Sequence, residues 1–60
     1  AGVTVQAVVA GPVFRGRAFV DVRLHEGLRP IYARLSPEEA RRLAGMLAAA
    51  AEAAETTRRQ

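Results

Sequence analysis

The sequence has no cysteine, no tryptophan and no lysine, and only one histidine, His25. Without cysteine, neither a disulfide nor a thiolate metal site can reinforce a small fold. A single imidazole does not build a histidine cage within one chain. Bulky side chains are scarce as well. Half of the 60 residues are apolar, but thirteen of these are alanine and only Phe14, Phe19 and Tyr32 are aromatic. A chain of this length buries only about 60% of the surface its unfolded form exposes. Lacking both staples and bulk, a solitary core is marginal, and self-association is the remaining remedy. Nor is there an apolar run of the ~18–20 residues that a membrane span requires. The longest uncharged stretch, Ala1–Phe14, is interrupted by Thr4, Gln6 and Pro12 and follows no basic segment, unlike a secretory leader. The expectation is a cytoplasmic protein without membrane association.

What is present begins with charge. The nine basic residues are all arginine, against six acidic ones, giving a net charge of +3 and a pI near 11.1. Arginine without lysine, beside so much alanine, fits the codon bias of a GC-rich bacterial genome. The excess lies wholly in residues 1–35, since Arg41, Arg42, Arg58 and Arg59 are matched by Glu38, Glu39, Glu52 and Glu55. Anionic partners are therefore favoured, and any contact with them belongs to the first half of the chain.

Residues 3–9 are β-branched and partly alternating, and 18–24 alternate more cleanly, with Ala18, Val20, Val22 and Leu24 on one face. The turn residues His25 to Pro30 lead to a third alternating run at 31–35. On a strict period of two, Val3, Val5, Ala7 and Val9 share the inner face of the first strand, and Val8 joins Phe19 and Tyr32 on the outer face. Ser36-Pro37-Glu38-Glu39 is the most specific local signal. Ser36 caps a helix, Pro37 suits its first position, and Glu39 completes a capping box. The helix is expected over about 37–55, with 56–60 frayed. Its apolar stripe is Ala40, Leu43, Ala44, Leu47, Ala51 and Ala54, with Met46 and Ala50 alongside. Glu38–Arg42 and Glu55–Arg59 stand four apart, in the favourable order for weak ion pairs. These elements predict one α+β domain spanning 1–60, a three-stranded antiparallel meander followed by a C-terminal helix. Homodimerisation would complete it, with Val8, Phe19, Tyr32, Leu43, Met46 and Leu47 as the dimer or partner interface. Phe19 and Tyr32 read either as a contact patch or as a cross-strand pair steadying the sheet.

No catalytic, cofactor-binding or metal-ligating residue emerges. His25 beside Glu26 lacks a pocket and an orienting partner, Ser36 is accounted for as a cap, and Gly11 and Gly16 lack the lysine of a phosphate loop. The chain is expected not to be an enzyme. Arg15-Gly16-Arg17 reads either as an exposed hairpin loop or as a pair of arginines for a narrow minor groove. The wider nucleic-acid candidate joins Arg15, Arg17, Arg23 and Arg34 as phosphate contacts.

The strand order, with Tyr32 and Leu35-Ser36 leading into a helix that carries Ala40, Leu43 and Leu47, resembles the N-terminal oligomerisation domain of actinobacterial nucleoid-bridging silencers, the analogues of H-NS. The resemblance covers about residues 3–55. It implies a dimerising meander and helix, with DNA binding in a separate C-terminal domain. Where that family carries an acidic segment between its first strands, this chain has the basic 11–17. The expected function is a non-enzymatic homodimerising module of a DNA-associated or regulatory bacterial protein. The alternative is a small adaptor, inhibitor or antitoxin-like module that turns its aromatic and arginine face to an acidic protein.

Overall fold

The computed structural model describes residues 2–59, so Ala1 and the expected fraying at Gln60 lie outside the described residues. Three strands, β1 (Val3–Ala10), β2 (Val20–Glu26) and β3 (Arg29–Leu35), form one antiparallel sheet in the order β1-β2-β3, and helix α1 (Pro37–Arg59) follows. The fold is α+β, a meander closed by a C-terminal helix.

Strand β2 starts two residues later than the alternation suggests, at the Val20 that pairs with Ala10 and Leu35, and it ends two residues later because the β2–β3 turn is tighter than six turn-forming residues imply. Glu26 pairs with Arg29 and His25 with Pro30, leaving only Gly27 and Leu28 at the tip. Gly27 takes a φ of 62° there. Ala18 and Phe19 belong to the loop before β2.

That loop, residues 11–19, is itself folded. The Gly11 N–H donates to the Phe19 carbonyl at 2.7 Å, and Phe14 and Arg17 exchange backbone bonds of 2.9 and 3.0 Å. Between them Arg15 and Gly16 both have positive φ, 53° and 75°, the pattern of a type I′ hairpin turn. Glycine adopts that backbone freely. Arginine does not, and Arg15 holds a conformation that costs roughly 1–2 kcal/mol for an L-residue.

A bulge in β1 corrects the expected facing of its side chains. Val5 lies opposite Leu24 and Ala7 opposite Arg23, so Gln6 is the extra residue and the alternation shifts by one. Val8 and Ala10 then lie opposite Val22 and Val20 on the inner face, while Ala7 and Val9 move outward opposite Arg23 and Asp21. Val8 is therefore not on the face of Tyr32.

Helix α1 starts where the cap dictates: the Glu39 N–H donates to Ser36 Oγ at 3.1 Å, and the Ala40 N–H to the Ser36 carbonyl at 2.9 Å. Glu38 and Glu39 occupy its first turn and Arg58 and Arg59 its last, matching both ends of the helix dipole. It runs four residues beyond the expected end. The Thr56 and Thr57 hydroxyls donate to the Glu52 and Ala53 carbonyls at 3.1 and 3.0 Å, and Glu55 takes Arg58 at 2.7 Å in place of Arg59.

No apolar side chain among the described residues is buried, and Asp21 is the one buried polar residue, at 5% exposure. The Cα trace extends 49 × 28 × 10 Å. A helix laid across a sheet would by itself add about 10 Å of thickness, so the chain is essentially one layer. Compact domains are built from at least two.

Candidate interaction surfaces

The first surface is the inner face. Val5 and Val8 from β1, Val22 and Leu24 from β2, and Leu43 and Leu47 from the first half of α1 line an open groove of about 430 Å³. The bulge places Val8 there. Val5 remains 63% exposed, Val8 59% and Leu47 61%. Six of the ten residues around the groove come from the sheet and four from the helix, so it belongs to neither element alone. Met46 is equally exposed but lies outside the lining, on the flank of the helix. The predicted interface residues thus divide between two faces. Val8, Leu43 and Leu47 come together at the groove, while Phe19 and Tyr32 are on the other side of the sheet.

The magnitude of exposure is informative. The chain presents 5318 Å² to solvent, whereas a folded monomer of 6.4 kDa is expected to present about 3,800 Å². The excess, roughly 1,500 Å² by the same scaling, is surface this chain exposes beyond that of a compact domain of its mass.

The second surface is the outer face, where a cluster forms around Asp21 and Arg34. The two residues are directly opposite in the β2–β3 ladder. Arg34 Nε donates to Asp21 Oδ1 at 2.8 Å and its Nη2 to Oδ2 at 3.2 Å, a two-pronged ion pair. The same Nη2 donates to the Tyr32 hydroxyl at 3.2 Å, and the guanidinium lies 5.4 Å from the centre of the Phe19 ring. Gly11 closes one side so tightly that a Cβ there would stand 3.3 Å from Asp21 Oδ2 and from the Phe19 carbonyl. The hydrogen bonds from Arg34 hold the Asp21 carboxyl below its ordinary 3.8; burial pulls the other way, and Tyr32 and the Arg23 charge add smaller downward contributions. Asp21 in turn raises the Arg34 guanidinium further, with help from Tyr32.

This cluster changes the reading of three residues. Phe19 and Tyr32 are joined through Arg34, not as neighbours across two strands; Tyr32 stands opposite Arg23. Arg34 spends its fork on Asp21 and Tyr32, so it is poorly placed to bind a phosphate in the same way. Arg15, Arg17 and Arg23 are exposed. Arg15 lies 5.4 Å over the Phe14 ring at the hairpin tip, while Arg23 is in the middle of the sheet. Of the four arginines proposed for nucleic acid, Arg15 and Arg17 therefore sit on the hairpin loop, while Arg23 and Arg34 share the outer face of the sheet, Arg34 with its fork on Asp21.

Compared with protein-family models, curated proteins and solved structures, the chain matches none.

Among the described residues no three His, Asp or Glu side chains gather as a metal site would require, and no helix is long and apolar enough to cross a membrane. Sequence reasoning passed over the Asp21–Arg34 pair. Its signal was nevertheless present: a two-residue turn at 27–28 sets Asp21 opposite Arg34, and opposite charges facing each other across strands attract. The bulge at Gln6 left no comparable trace.

Proposed function

We propose that this protein is a non-enzymatic self-association module, a homodimer, of a DNA-associated or regulatory bacterial protein. One observation carries the reading: the inner face forms an almost wholly apolar groove, yet no apolar side chain among the described residues is buried. Exposed apolar surface on this scale marks an association site. The basic balance of residues 1–35, with Arg15, Arg17 and Arg23 exposed, supports an anionic partner such as DNA for the assembled module.

Light scattering on the wild-type chain and on Leu47→Asp tests the association. The wild type is expected at twice 6.4 kDa, and Leu47→Asp at the single-chain mass or unfolded; a folded dimer surviving Leu47→Asp removes the helix from the interface. Gel retardation tests the DNA half. Random duplex at about 50 mM salt, where phosphate contacts are strong, should be retarded by the wild type and less so by Arg15→Ala/Arg17→Ala. Exposure of Tyr32 beside Arg23 supports the rival reading, an adaptor for an acidic protein. Absence of retardation, with retained association, moves the assignment to that rival.

A further inference from the structure

We propose that the open groove is filled by helix α1 of a second copy, in a two-fold exchange where each sheet is covered by its partner's helix. The proposal rests on the self-association reading and specifies its geometry. Its starting point is that each chain is a single layer 10 Å deep. Two such layers stacked about a two-fold axis make the two-layer arrangement that folded domains require.

The groove selects its occupant by chemistry and shape. Its floor and wall are valine, leucine and alanine, with no charged residue in the lining. The outer face of the sheet, with Arg23 and the Asp21–Arg34 pair, is a poor lid for it, because covering it there would strip water from those charges. The apolar stripe of α1 is a good one. Leu47 and Met46 are each 61% exposed, so the helix has its own uncovered apolar flank. The alanines that follow allow a backbone to come close to a sheet. At 23 residues the helix is ~34 Å long against ~25 Å for the strands. It therefore reaches past its own sheet far enough to meet another. Stacking sheet on sheet would bury the valines but leave Met46, outside the groove, in water; helix against helix alone would do the reverse. Only exchange covers both.

Area agrees with a second copy as the partner. An excess of ~1,500 Å² per chain gives about 3,000 Å² for a pair, within the ~2,000–5,000 Å² of obligate homodimers. The interface is isologous: the groove and stripe of one chain meet the stripe and groove of the other.

An isotope-filtered nuclear Overhauser experiment on a sample mixed from carbon-13-labelled and unlabelled wild-type chains reads this directly, with sedimentation on the same sample to report its mass. Cross-peaks between chains are expected from the Val5 and Val8 methyls to those of Leu47 and Met46. In a dimeric sample, inter-chain peaks confined to valine–valine or to helix–helix pairs overturn the exchange and leave self-association standing. A sample that sediments as single chains overturns both.

Discussion

At the scale of single residues, the Asp21–Arg34 pair holds the one buried polar side chain among the described residues. Its contribution has a defined pH dependence. Because Arg34 holds the folded-state carboxyl below the ordinary 3.8, the stabilisation is complete above that value and lost as pH falls from 3.8 through the lowered folded-state pKa. Thermal melts from pH 6 down to 2 should therefore show a steeper acid loss for the wild type than for Asp21→Asn. Parallel curves would contradict the assignment. Arg15 poses the opposite case, a residue whose backbone resists its position. Asparagine tolerates positive φ and is favoured at the first central position of a type I′ turn. Arg15→Asn is expected to stabilise the fold by about 1 kcal/mol, read as a higher denaturant midpoint at unchanged slope. A lower midpoint would show that the stack of Arg15 on Phe14 outweighs the strain.

At the scale of elements, the helix was the part most legible beforehand, because its start is written in side chains that act locally. Ser36, Pro37 and Glu39 need no tertiary context to define a cap. Ser36→Ala should cost about 1 kcal/mol through the lost bond to the Glu39 N–H, checked by denaturant titration; an unchanged midpoint would place the helix start elsewhere. Its far end was less legible: Thr56 and Thr57 read as a frayed end, whereas they are helical, with their hydroxyls on the Glu52 and Ala53 carbonyls. The strands were legible as elements but not in every facing. Alternation located β1 and gave Val3 and Val5 correctly, then failed at Gln6, because a single inserted residue reverses the parity of all that follow. That one residue moves Val8 from the face of Tyr32 to the groove. Chain-local patterning carries no record of such an event, whereas the pairing of Asp21 with Arg34 follows once the turn at Gly27-Leu28 is counted.

At the scale of the whole molecule, the small stock of bulky side chains and the single-layer shape say the same thing. Thirteen alanines and three aromatics make a helix that forms readily but buries little. The structure places its large residues, Leu43 and Leu47, beside an uncovered floor of valines. If a second copy supplies the missing layer, folding and assembly are one equilibrium, and stability depends on how much protein is present. The direct measurement is the melting midpoint across a dilution series from millimolar to sub-micromolar, with mass followed in parallel by sedimentation. Obligate pairing predicts a midpoint that falls steadily on dilution, together with loss of the dimer. A midpoint independent of concentration, in a cooperatively melting particle of 6.4 kDa, would contradict it.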